Sequence, residues 1–435
     1  MKLYSTRNND LVVNVQRAVL EGLAPDRGLY MPSTIPVLDD SFLNSLSQMS
    51  FVEIATEVSE KFLGEEISRQ DLKGIAERAF NFDAPLLTLD EKTSVLELFH
   101  GPTLAFKDFA AHYMAQLVSH FRRDASRDLT ILVATSGDTG GAVARGFLGI
   151  DGIRVVILYP QGKVSPLQEK QLTTLGHNIT ALEVKGVFDD CQQMVKEAFV
   201  DPDLEGKIDL TSANSINIAR LIPQTFYYFR AVAQLAQRGV NEKAIFSVPS
   251  GNFGNLTAGL IAKKMGLGIE HFIASSNAND AFVRYLDSSD YSPKPSIATI
   301  SNAMDVGDPS NFPRLLELHD KSYETVAANI FGKSFSDPQT RDKMKEIYEK
   351  YEYVLDPHTA VGFLGLEAFR EHTNSNAPGI VLATAHPVKF LETMEEVLPG
   401  KVGQPESIKA LMNKTKDARL IKNEYGELKE FLLSC

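Results

Sequence analysis

TILVATSGDTGGAVARG at residues 130–146 and AIFSVPSGNFGNLTAGL at residues 244–260 share one plan. Each is a short β-rich run, then Ser-Gly-(Asp/Asn)-x-Gly, then a helical pattern. A strand that turns through glycines into a helix opens a βαβ unit. Working outward, Leu129–Ala134, Ile153–Tyr159, Asn178–Val184, Ala244–Val248 and Gly379–Thr384 are further or overlapping β-rich runs, and Thr139–Leu148 and Asn255–Met265 are helical patterns between them. Strands alternating with helices predict an α/β fold with mainly parallel sheets covered on both faces. Two similar modules would hold ligands in the cleft between them.

The flanks read differently. Up to about residue 92 the pattern is helical with loops; Phe42, Leu43, Leu46, Phe51, Ile54, Ala55 and Val58 fall at helical spacings. Ser288–Arg314 is rich in Pro, Asp, Asn and Ser and predicts an irregular surface excursion. The last thirty or so residues predict a charged helical tail. The divisions that follow are an amino-terminal region, 1–92, and a catalytic region, 93–435. Within the latter, a smaller module spans roughly 116–211 and a larger one 93–115 with 212–435.

Composition narrows the partners. The 435 residues carry 44 Lys and Arg against 56 Asp and Glu, a formal charge of −12, which argues against nucleic acid. Two cysteines are too few for a disulfide framework and suit the cytoplasm. No uncharged apolar run approaches the ~18 residues of a membrane span. The amino terminus shows no signal-peptide pattern.

Ser250-Gly251-Asn252-Phe253-Gly254-Asn255 follows a strand and opens a helix. Converging backbone N–H groups and the helix N-terminus suit a phosphate; a plain strand-to-helix turn is the alternative. In the companion loop, Asp138 would repel a dianion unless its side chain turned aside to cap the helix. That loop better suits a smaller group bound by N–H and hydroxyl donors. In HGPTLAFKDF, residues 100–109, Lys107 stands in an apolar run. Desolvation makes such an amine nucleophilic and able to form a Schiff base with an aldehyde, unless it snorkels to solvent or pairs with Asp108. A phosphate loop and a reactive lysine are the two anchors of pyridoxal phosphate.

HGPTLAFKDF (100–109), ATSGDTG (134–140), SANSINIARL (212–221), PSGNFGN (249–255) and ATAHPVKF (383–390) stand in one order along the chain. Together they resemble the threonine synthase family, in its longer microbial and fungal branch. The resemblance implies a fold-type II pyridoxal-phosphate enzyme that makes L-threonine and phosphate from O-phospho-L-homoserine and water, and acts as a monomer or homodimer. It implies that Lys107 carries the cofactor, that Gly251, Asn252, Phe253, Gly254 and Asn255 hold its phosphate, and that Thr384 faces its ring nitrogen. By the same resemblance Ser136, Asp138, Thr139 and Gly140 line the substrate carboxylate, and Asn214, Ser215 and Arg220 receive the substrate phosphate. Arg220 could instead be a surface arginine, and Thr384 a strand-end residue bonded to backbone.

No metal site is expected: His100, His112 and His120 lack ligand spacing, and neither Cys-x-x-Cys nor His-Glu-x-x-His occurs. His386 is expected to order the loop near Thr384. Asp356-Pro357 reads as a helix cap with proline at the first helical position. Lys163, Gln168 and Gln171 in YPQGKVSPLQEKQ take no role. A sibling dehydratase would share the lysine and phosphate loop but need no second phosphate site. A silent homologue that binds a phosphorylated metabolite would not need Lys107.

Overall fold

Consecutive apolar residues make strands that must be covered on both faces, and two sheets built this way frame the molecule. The structure is a computed structural model that describes all residues except Ser136 and Cys435. The smaller sheet has five parallel strands in the spatial order Arg419–Lys422, Ile179–Lys185, Ile153–Pro160, Leu129–Ala134 and Asp209–Thr211. The larger sheet runs Ile330–Ser334, Ile269–Ser276, Ala244–Pro249, Gly379–Ala383, Thr93–Glu97 and Leu86–Thr88, with the final pair antiparallel. Every residue of Leu129–Ala134 and of Ala244–Pro249 is buried. The two quoted stretches therefore sit in different sheets, one per module.

Helices Lys107–Arg122 and Asp138–Phe147 pack at unusually short range. A Cβ on Gly146 would stand 2.9 Å from the Ala111 carbonyl oxygen, so only glycine permits this approach. The other side of the Lys107 helix is held by aromatic rings. Phe109 packs on Phe51 at 5.4 Å and on Phe82 at 4.9 Å, and the Tyr113 hydroxyl donates to Ser59 at 2.6 Å. The amino-terminal helices Phe51–Leu63 and Arg69–Ala79 thus buttress the helix that starts at the lysine. Ser50 begins the first of these with a capping box to Glu53.

Three flanking expectations are corrected. The amino-terminal region is not only helical: Asn8–Asn14, Lys2–Ser5 and Tyr30–Pro32 form an antiparallel sheet. Asn8–Asn14 buries only Val13, so it carries little apolar signal. Within 288–314, residues from Ser301 onward are not a surface excursion. Ser301, Met304, Asn311, Phe312 and Arg314 are buried, and the polar composition serves internal bonds such as Asn277 Nδ2 to Thr299 Oγ1 at 2.8 Å. The carboxy-terminal tail is not simply helical either. Arg419–Lys422 is an edge strand on Ile179–Lys185, between helices Glu406–Met412 and Tyr425–Leu433. The smaller sheet therefore draws a strand from outside 116–211.

Candidate active site

Loops from both sheets leave the carboxyl ends of their strands and converge, the usual place for a ligand in parallel sheets. Thr93–Glu97 leads to Lys107, Gly379–Ala383 to Thr384, and Ala244–Pro249 to the Ser250–Asn255 loop. From the smaller sheet, Leu129–Ala134 leads to Gly137–Gly140 and Asp209–Thr211 to the Asn214–Arg220 segment. The lysine and threonine loops are stitched together. The Phe106 amide donates to the Thr384 carbonyl at 2.9 Å and the His386 amide to the Leu104 carbonyl at 3.0 Å. His386 Nδ1 also accepts from the Val388 amide at 3.1 Å, which orders this turn. Thr384 is buried, and its hydroxyl makes no hydrogen bond with a described residue.

Lys107 opens its helix with a side chain only 17% exposed. Its Nζ lies 3.5 Å from Asp138 Oδ2 and 5.0 Å from the Phe106 ring centre, so its partner is Asp138 rather than Asp108. Burial lowers the proton affinity of this amine; Asp138 works against that, while Lys389 and Arg220 add to it. Asp138 does not cap its own helix. Its carboxylate accepts from Gln168 Nε2 at 3.0 Å and pairs with Lys389 Nζ at 3.0 Å. Burial opposes that charge, but Lys389 first, then Lys107 and Gln168, hold the carboxyl well below its usual range. In the same loop the Thr135 hydroxyl takes the amides of Gly137 at 3.0 Å and Gly140 at 2.9 Å. The amides of Asp138 and Thr139 have no partner among the described residues. Ser136 lies outside the described residues.

The Asn252 loop is a cradle. A Cβ on Gly251 would stand 2.6 Å from Met304 Cα, and Phe253 takes the left-handed conformation with φ 61°. Gly254 then begins the helix Gly254–Lys264. Asn252 is spent on holding the loop: Nδ2 donates to Ser215 Oγ at 2.5 Å, and Oδ1 accepts from the Ser310 amide at 2.5 Å. Asn255 Oδ1 accepts from the hydroxyls of Tyr227 and Tyr228, both at 2.7 Å. Its Nδ2, although buried, has no partner among the described residues. A buried donor left unmade is costly, and an oxyanion at this helix start would complete it. These residues fit the phosphate of pyridoxal phosphate.

A second group of buried polar side chains is joined to this loop through Ser215. Arg220 is 3% exposed, so it is not a surface arginine. One Nη donates to the Ala213 carbonyl at 2.5 Å, and among the described residues Nε has no partner and the guanidinium no ion pair. Burial lowers its pKa to about 10, which leaves it charged. Asn217 anchors this segment to the amino-terminal region by donating to the Val19 carbonyl at 2.9 Å. Asn214 Oδ1 is buried without a partner among the described residues, and Ser215 bridges to the cradle through Asn252. Sequence reasoning did not single out Lys389, Thr103, Met304, Tyr227 or Tyr228. Lys389 carried a readable signal, a lone cation in HPVKF, much like Lys107 in LAFKDF.

Comparison with known proteins agrees in register. The family model for the threonine synthase N terminus matches residues 2–80, that for pyridoxal-phosphate dependent enzymes residues 85–384, and that for the threonine synthase C-terminal part residues 359–432. The threonine synthase of Serratia marcescens is 43% identical over 433 residues, covering 100% of this chain and 99% of its own. The crystal structure of threonine synthase from Escherichia coli superposes with a TM-score of 0.92 at 41% identity and covers 100% of both chains. A PLP-bound threonine synthase from Brucella melitensis superposes with a TM-score of 0.92 at 36% identity, covering 100% of this chain and 99% of that one.

Proposed function

The chain belongs to the threonine synthase family, and from that premise we propose how its own residues divide the work. The reaction converts O-phospho-L-homoserine and water to L-threonine and phosphate, with pyridoxal phosphate as cofactor. When bound, the cofactor supplies an electron sink beside the substrate amino group. Lys107 is the amine that carries it, Gly251–Asn255 hold its phosphate, and Thr384 is assigned to its ring nitrogen. A neutral hydroxyl at that nitrogen cannot retain a proton as a carboxylate would, which moderates the sink.

Lys107 Nζ, uncharged once free, takes the proton from the substrate Cα and relays the proton at Cβ, being the base tethered beside both. The amides of Asp138 and Thr139, at the start of an α-helix, receive the substrate carboxylate. Ser136, the Thr139 hydroxyl and the Gly140 turn complete that end. Asn214, Ser215 and Arg220 receive the substrate phosphate and keep it after it leaves. Arg220 suits the task because a buried guanidinium with no counter-ion among the described residues gains most from a dianion. The sheltered loops keep water from competing for these donors. Composition supports a cytoplasmic protein without nucleic-acid partners, the resemblance carries the expectation of a monomer or homodimer, and no helix among the described residues is long and apolar enough to cross a membrane.

What supports this reading most is two buried groups without partners among the described residues, Asn255 Nδ2 and Arg220 Nε, the latter close enough to the mostly buried Lys107 to depress its proton affinity. A dehydratase acting on threonine or serine has no use for the second seat. The purified protein is expected to release threonine and phosphate in equal amounts from O-phospho-L-homoserine, and Lys107→Ala to lower turnover by at least about 1000-fold. Preferential deamination of threonine, or normal activity in the Lys107→Ala protein, would overturn it.

A further inference from the structure

Lys389 is buried completely. Its Nζ donates to the Thr103 carbonyl at 2.7 Å and to Gln171 Oε1 at 2.9 Å, and pairs with Asp138 Oδ1 at 3.0 Å. Three acceptors around one nitrogen require three N–H bonds, so this lysine is an ammonium. All its donors are in use, which leaves none for a ligand. Gln168 and Gln171 support the arrangement: Gln168 donates to the same Asp138 oxygen at 3.0 Å, and Gln171 Nε2 donates to the Thr103 carbonyl at 3.1 Å.

Asp138 therefore stands between two lysines, 3.0 Å from Lys389 and 3.5 Å from Lys107. A lone buried carboxylate at that range would hold a proton on Lys107 and disable it as nucleophile and base. We propose that Lys389 is a positioning residue that neutralises Asp138, so that Lys107 sits beside a closed ion pair and is released uncharged. Asp138 in turn orients the Lys107 amine without binding its proton. This deepens the reading of Lys107 given above and rests on it.

The charged groups facing Lys107 are Asp138, Lys389 and Arg220. Those facing Lys389 are Asp138, Asp108, Lys107 and His386, and burial lowers the proton affinity of that histidine. Removing one partner of the central pair should therefore move the titration of Lys107 in a direction set by the charge left behind. Lys389→Met leaves the carboxylate and raises it; Asp138→Asn leaves the ammonium and lowers it. The double variant restores neutrality. Each change is expected to be about 1 to 2 pH units, as for a charge added within 4–6 Å.

The test labels the full chain, freed of cofactor, with trace acetic anhydride across a pH series and quantifies modification of Lys107 by peptide mass spectrometry. The acid limb of kcat/KM for the cofactor-loaded enzyme is measured beside it. Expected are opposite shifts in the two single variants, about tenfold or more slower labelling at pH 7 in Lys389→Met, and recovery in the double variant. Shifts of the same sign, or none, overturn the proposal, as does failure of the double variant to recover. Asp138→Asn is close to isosteric and decides the sign even where Lys389→Met folds poorly. The labelling readout does not depend on what Lys107 does in catalysis, so an error in that assignment would show in the Lys107→Ala assay instead.

Discussion

Asp108 turns its side chain inward beside Lys107, where it accepts from the Thr103 amide at 2.8 Å and hydroxyl at 2.6 Å. Burial nevertheless pushes its pKa up to about 6. The folded protein therefore holds this proton more tightly than the unfolded chain. Between about pH 4 and 6 the unfolded carboxyl is ionised and the folded one is not, so this group's contribution to stability falls as pH rises and is fully lost above 6. The cost is up to about 3 kcal/mol. Asp108→Asn should remove the effect: its urea midpoint, compared with the parent, is expected to improve from pH 4 to pH 7, whereas a difference that ignores pH would count against this account. At this scale the sequence was partly legible. A lysine in an apolar run announced Lys107, because burial is the largest influence on its proton affinity. Which carboxylate it faces was not legible, since Asp138 meets Lys107 and Lys389 only through the crossing of loops distant in sequence. The same holds for Arg220, whose burial is decided by packing rather than by its neighbours in the chain.

Elements carry the geometry from the sheets to the ligand. The cradle works because Gly251 lies flat against Met304, which belongs to a segment held by the buried Asn277 side chain and by His358, whose Nε2 accepts from the Ala303 amide at 3.1 Å. Asp356 caps that histidine's helix with Pro357 at the first position, as its sequence predicts. Gly251→Ala would drive a methyl group to 2.6 Å from Met304 Cα, and backbone on one side must yield. The expected result is a loss of cofactor affinity of about tenfold or more, read by fluorescence titration of the cofactor-free chain, together with a stability loss of about 1–3 kcal/mol. Unchanged affinity would show that the cradle does not hold the cofactor phosphate. The strand-glycine-helix elements were readable because their apolar runs and turn residues are continuous. The strands at the two ends of the chain were not: Arg419–Lys422 has four residues and buries only Ile421, and Asn8–Asn14 is half polar. Edge strands are defined by the partner they find, and their own composition says little.

The whole molecule carries a charge of −12 and binds two anions in one cleft. At physiological salt that bulk charge is screened within about 8 Å, so binding depends on local donors. Two mainly parallel sheets aim the carboxyl ends of their strands at the same space, and Asn252 bonded to Ser215 at 2.5 Å fastens the loop proposed for the cofactor phosphate to the segment proposed for the substrate phosphate. The two seats are adjacent yet chemically distinct, one of amides and an asparagine, the other built on a buried guanidinium. That division of labour is the central claim, and Arg220→Gln tests it most directly. Cofactor affinity and kcat/KM for O-phospho-L-homoserine are to be measured on the same preparation. The account predicts cofactor affinity within about twofold of the parent and kcat/KM lower by about 100-fold or more. Unchanged kcat/KM, or a parallel collapse of cofactor binding, would contradict it.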